Sequence, residues 1–134
     1  MLVQIDHHSG QPIYRQVIDQ IRRQILAGQL VEGRQLDSVR DLAGRLKVNP
    51  MTISKAYSLL EIEGLLERRR GVGLFVARIR PGQRSQSKSQ LLEQVLAKAV
   101  ATAVQFEIPA KEVHALTERL FERYGSKTGR DEHE

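Results

Sequence analysis

Asn49, Thr52, Ser54 and Lys55 stand within seven consecutive residues near the middle of a 134-residue chain. They bring a carboxamide, two hydroxyls and an ammonium, with no histidine or carboxylate beside them to act as a base. Such a set does not break covalent bonds. It offers hydrogen bonds and positive charge to phosphate oxygens or to the edges of bases. A second set follows at Arg68-Arg69-Arg70-Gly71. Adjacent guanidinium groups repel one another unless an anion lies against them, and a glycine lets the backbone come close to that anion. There is no cysteine, hence no thiol nucleophile and no disulfide framework. No glycine-rich phosphate loop or catalytic constellation appears, so neither an enzyme nor a cofactor is expected.

The elements that must hold these groups are legible around them. Leu36 to Gly64 reads as two short helices joined by a tight turn. The first starts near Ser38 and carries Val39, Leu42, Ala43 and Leu46 on one side, the i, i+3, i+4, i+7 spacing of an amphipathic helix. Pro50 cannot continue a helix but can begin one, and Asn49 is placed to cap it. The second helix then buries Ile53, Ala56, Tyr57 and Leu60 and ends at Gly64. Its outer face holds Met51, Thr52, Ser54, Lys55 and Ser58. An ordinary solvated helix would carry Glu/Lys pairs at i, i+4 spacing. Slim polar side chains near the N-terminus instead suit a helix that enters a DNA major groove.

Leu65 to Ala77 reads as two short strands around a glycine-containing turn, with Leu66, Leu74 and Val76 facing a core and Arg68 to Arg70 leading into the tip. Beside a helix-turn-helix such a hairpin is a wing, able to lie along a phosphate backbone or in a minor groove. Pair and hairpin together, in this order, are a stronger signal than either part.

Residues 12–77 closely resemble the DNA-binding domain of GntR-family transcription regulators, a winged helix-turn-helix. The likeness is carried by PIYRQVIDQIRRQILAGQLVEGRQLDSVRDLAGRLKVN and MTISKAYSLLEIEGLLERRRGVGLFVA. "SVR", "VNPMTISKAY" and "RRRGVGLFV" look most like the short YtrA-like branch. Two positions depart from the pattern: Asp37 stands where the family usually has proline, and Leu74 where the wing commonly carries a small polar residue. Asp37 is still able to cap a helix, but a carboxylate disfavours nearby phosphate. The resemblance implies DNA contact by Ser38, Arg40, Asn49, Pro50, Thr52, Ser54 and Lys55, and by Arg69, Arg70 and Gly71 in the wing. It further implies a bacterial repressor acting on double-stranded operator DNA in the cytoplasm.

Charge agrees with that placement. The net charge is +5. Through Arg84 there are 14 Lys+Arg against 8 Asp+Glu, or +6, and from Ser85 onward 7 against 8, or −1. The positive balance lies with the helix pair and the wing. No apolar run approaches the length of a membrane span, and residues 1–10 lack the layout of a signal peptide.

In chain order, Val3 and Ile5 alternate with Gln4 and Asp6, suggesting a short leading strand or extended arm. Asp6, His7 and His8 lack a third ligand at a supporting spacing, so no metal is expected. Pro12 opens a helix to Ala27 with an apolar stripe of Ile13, Val17, Ile18, Ile21, Ile25 and Leu26; Arg15, Arg22 and Arg23 stay outside. Gln35-Leu36 reads as a brief strand pairing with the wing. Residues 78–90 read as a flexible polar linker broken at Pro81-Gly82. Residues 91–125 read as two helices interrupted at Ile108-Pro109, and 126–134 as a frayed polar tail.

The fold class expected is therefore mainly α with a small β-hairpin: a winged domain over 1–77, then a two-helix tail. Leu92, Val95, Leu96, Ala99, Val100 and Val104 on the first tail helix, with Leu116 and Leu120 on the second, are more apolar surface than a hairpin can hide. A second copy would cover it as a four-helix arrangement, making the protein a homodimer, the alternative being packing back on the same chain's winged domain. Nothing in the residues identifies a small-molecule effector. The rival reading is a winged-helix protein-interaction module without DNA binding, against which the basic wing and hydroxyl-bearing helix speak.

Overall fold

The structure is a computed structural model that describes residues 1–132, with side chains described through Gly125. It divides into two compact units, Met1–Lys88 and Ser89–Glu134.

In the first unit, α1 (Ile13–Leu26) starts after Pro12 and ends where Gly28 takes a φ of +84°. Val17, Ile18, Ile21, Ile25 and Leu26 are buried as the stripe predicted, with Ile13 half-buried. The helix-turn-helix follows as α2 (Val39–Leu46) and α3 (Pro50–Ile62). α3 is the centre of the unit: α1 and α2 both pack on it. Its inner face is Ile53, Ala56, Tyr57 and Leu60, all buried.

Strands β1 (Leu66–Arg69) and β2 (Gly73–Val76) pair antiparallel, with Leu66 opposite Val76 and Arg69 opposite Gly73. The segment before α2 runs on the other side of β2. Leu36 N–H donates to the Leu74 carbonyl at 2.8 Å, Val76 N–H to Arg34 at 2.8 Å and Gly33 N–H to Val76 at 2.9 Å. The brief strand expected at Gln35-Leu36 is thus a single bridge, Gln35 to Phe75.

The N-terminal arm has a support that periodicity does not reveal. Gln16, Gln20 and Gln24 recur at i, i+4, i+8 along α1, and each grips the arm. Gln20 Oε1 accepts from Gln4 N–H at 2.9 Å, and its Nε2 donates to the Gln4 carbonyl at 2.6 Å. Gln16 makes the same two-way pair with Asp6, both at 2.9 Å, while Gln24 Nε2 donates to the Leu2 carbonyl. Two residues of extended chain advance about 6.7 Å and four residues of helix about 6 Å, so the repeats stay in step. The ladder seats Val3 in the core, where it is buried. Asp6 closes a turn, accepting from His8 N–H at 2.9 Å.

The C-terminal helices differ from expectation at both ends. Residues 81–90, read as part of a linker, are helical: α4 runs Pro81–Gln105. Pro81 opens the helix instead of breaking the chain, and the Gln, Arg and Lys that follow are good helix formers. The turn at 106–109 places Glu107 at φ +57°, with Ile108 N–H bonded to the Ala103 carbonyl at 2.8 Å. α5 then runs Ala110–Glu132. Gly125 does not close it, because a helix only loses about 1 kcal/mol by carrying a glycine. Of the tail expected over 126–134, the part to Glu132 is helical and residues 133–134 lie outside the described residues.

Among the described residues, α4 and α5 do not pack along each other beyond their turn. Of α4, Ala103 is buried, while Leu92, Val95, Leu96, Val100 and Val104 remain exposed, as do Leu116, Leu120 and Phe121 of α5. A two-helix hairpin that shields itself is therefore not what this unit makes.

Candidate nucleic-acid interface

Each half of the helix-turn-helix is fixed at its start by a side-chain cap. Ser38 Oγ accepts from Asp41 N–H at 3.0 Å and opens α2; Asn49 Oδ1 accepts from Met51 N–H at 2.9 Å and opens α3. The turn between them passes through Lys47 at φ +57°. A cap of this kind stabilises a helix by about 1 kcal/mol and settles where its first turn points. Asp37, able to cap by its chemistry, leaves that role to Ser38. Its carboxylate pairs with Arg45 at 2.9 Å, and its carbonyl accepts from the Tyr57 hydroxyl at 2.8 Å. The unfavourable negative charge at this position is thereby matched within the fold.

That hydroxyl ties the inner face of α3 to the entrance of α2. Burial pushes the Tyr57 pKa well above the ordinary tyrosine range; the Asp37 charge adds to the rise and Arg45 partly offsets it. A second tie joins the far end of α3 to α1. Arg22 takes both carboxylate oxygens of Glu63, with Nε to Oε2 at 3.0 Å, and also reaches Asp19 at 3.1 Å. Hydrogen bonding to Glu63 raises the Arg22 pKa further, against the opposing effect of burial. Arg22 was expected among the outward arginines; it is a clasp within the fold.

On the open side of α3, Asn49, Pro50, Ser54 and Lys55 are exposed and Thr52 is half-buried. Lys55 is not a free charge: its Nζ sits 3.9 Å from the centroid of the Tyr14 ring on α1. A cation over an aromatic face gains about 0.5–1 kcal/mol at an exposed site, so the ammonium is held out from the helix at a defined place. Ser38 and Arg40 are exposed at the start of α2.

The wing sorts its three arginines. Arg68 pairs with Glu61 of α3 at 3.3 Å. Arg69 lies over the Phe75 ring, 4.0 Å from its centroid. Arg70 has no acidic partner among the described residues and stands at the tip. The tip turns through Gly71 at φ +77°, with Val72 N–H bonded to the Arg69 carbonyl at 3.0 Å, the place where such turns need glycine. Gln35 braces it from the neighbouring segment, Nε2 donating to the Val72 carbonyl at 3.1 Å. Gln35 is expected from the sequence only as part of a brief strand, and Tyr14, Phe75 and the glutamine ladder carry no signal of their own; each acts through a partner on another element.

A capped helix with a polar outer stripe and a braced wing with one free guanidinium form a surface for an anionic duplex. Residues 13–76 match the family described as bacterial regulatory proteins, gntR family. The HTH-type transcriptional repressor YtrA of Bacillus subtilis is 34% identical over 113 residues, which cover 84% of this chain and 87% of that protein. The chain belongs to the GntR family. Its fold matches a GntR family transcriptional regulator from Listeria monocytogenes with a TM-score of 0.74 at 28% identity, over 86% of this chain and 98% of that one. A solved structure of AraR(DBD) in complex with operator ORX1 matches at a TM-score of 0.50 and 29% identity, over 57% of this chain and 96% of that one. This GntR-family chain is thus a transcription regulator built on a winged helix-turn-helix, with a pair of long helices after it. Among the described residues no helix is long and apolar enough to cross a membrane.

Proposed function

We propose that the protein is a homodimeric repressor that binds a pseudo-palindromic operator in the bacterial cytoplasm. α3 enters the major groove, and the wing lies along the backbone or in the minor groove. Ser38, Arg40, Asn49, Pro50, Thr52, Ser54 and Lys55 contact the DNA from the helix pair, and Arg69, Arg70 and Gly71 from the wing. The observation that carries this is the outer stripe of α3, polar apart from Met51, capped at its N-terminus and open, beside a basic wing. The AraR domain, solved on an operator, supports the same use of the fold here.

Duplication rests on α4 and α5. Leu92, Val95, Leu96, Val100, Val104, Leu116 and Leu120 are each more than two-fifths exposed. At about 25 cal/mol per Å², leaving them in water forgoes several kcal/mol, which a second copy recovers. Ala99, small and on the same helix, lets the partner helix approach.

The experiment is a salt titration on an operator selected from genomic fragments. Arg40, Lys55, Arg69 and Arg70 give four cationic contacts per protomer and eight per dimer. Release of that many counterions lowers affinity about 10,000-fold between 50 and 200 mM salt. Lys55→Glu should weaken binding sharply and leave the oligomeric state unchanged. A protein-interaction module would instead show no retained fragment and no such slope.

A further inference from the structure

We infer that Met51 is a specificity-determining residue that reads thymine C5-methyl groups in the major groove; the assignment rests on the DNA contact proposed above. Met51 lies in the first turn of α3 and is 77% exposed, although Ile53, Ala56, Tyr57 and Leu60 of the same helix are buried. It heads the outward stripe that continues through Ser54 and Lys55. It therefore contributes little to the core of its own unit.

Its main chain is fixed, because Met51 N–H is the group that the Asn49 cap binds at 2.9 Å. The side chain starts from a defined point at the end of the helix where such motifs touch base edges. A thioether has no hydrogen-bond donor and is a weak acceptor, so it cannot serve a phosphate. Its neighbours Thr52, Ser54 and Lys55 can. What the major groove offers an apolar group is the thymine methyl, which only the thymine edge carries. An unbranched, polarizable side chain adapts well to such an irregular wall.

The test uses an operator duplex that the full chain retains, with each dT replaced in turn by dU at the symmetric positions of both half-sites. This change removes the methyl and leaves every hydrogen-bonding group in place. One or two positions per half-site should lose about fourfold in affinity per methyl, the factor carried by one buried methyl-sized group. Met51→Ala should bind the dT duplex more weakly by a similar factor and no longer distinguish dT from dU there, while Met51→Leu keeps the distinction. A flat scan on a tightly bound duplex overturns the assignment and leaves DNA binding standing. So does a Met51→Ala variant that keeps the full preference for dT. If no duplex is retained at low salt, the DNA contact itself fails, and this assignment with it.

Discussion

Replacing Leu96 and Val100 with aspartate should convert the protein to monomers while leaving the winged unit folded. Leu96 is 43% exposed and Val100 49%, so about half of each side chain remains in water in a single copy. Full burial of such a side chain is worth about 1.5–3 kcal/mol, and covering the open half therefore contributes about 1 kcal/mol. A two-fold interface contains four of these positions, or about 4 kcal/mol, equivalent to about a 1,000-fold change in the dimer dissociation constant. Each aspartate adds the cost of bringing a carboxylate out of water, which makes that figure a lower bound. Sedimentation equilibrium at about 10 µM protein should give the mass of one chain for the variant and of two for the wild type. Operator affinity should fall with it, since two tethered recognition helices no longer bind as one. Lys55→Glu is the control and should sediment as the wild type does. A double variant that still sediments at twice the chain mass would refute the assignment of this face.

Three further substitutions address the wing and the helix-turn-helix. Gly73 sits at φ +142°, and a Cβ there would lie 2.9 Å from Gln35 Nε2. Gly73→Ala should cost about 1–3 kcal/mol from backbone strain and displace the Gln35 brace from Val72, seen as a lower urea midpoint and faster amide exchange at Val72. Gln35→Ala should loosen the tip with a smaller loss of stability. Tyr57→Phe removes the 2.8 Å bond to the Asp37 carbonyl and should cost about 1 kcal/mol. It should also change the alkaline limb. A free tyrosine ionises near pH 10, whereas the folded hydroxyl stays protonated well above it. The unfolded state then holds fewer protons than the native one, so wild-type stability falls as pH rises past about 10. That part of the slope should be absent in the phenylalanine variant; equal slopes would mean the hydroxyl is not buried as described.

The helix-turn-helix was readable because its signals are local. Asn49 before Pro50, the 53/56/57/60 spacing and the glycine after α3 each act within one or two turns of the residues they organise. The wing was readable for the same reason, from two short runs with apolar sites at Leu66, Leu74 and Val76 around a turn that contains Gly71. What stayed hidden depends on side chains that meet from different elements. Gln16, Gln20 and Gln24 look like solvated polar positions until the arm is laid beside them, and Arg22 looks outward until Glu63 arrives from α3. Lys55 over Tyr14 and Arg69 over Phe75 join residues 41 and 6 positions apart, and nothing in their types marks the pairs. Pro81-Gly82 marks a break in the sequence, but Pro81 fits the first turn of a helix and the helix-forming residues after it carry α4 through 81–90. The apolar faces of α4 and α5 were legible as surface to be covered, and their exposure among the described residues supports the proposal of a second chain.

The most direct test of the account is to select genomic fragments bound by the pure protein, map the protected bases and measure the mass of the complex. The account predicts two protein chains on one duplex, with symmetric half-sites separated by about one helical turn or a multiple of it. One chain per site without internal symmetry, or no fragment retained at low ionic strength, would contradict it.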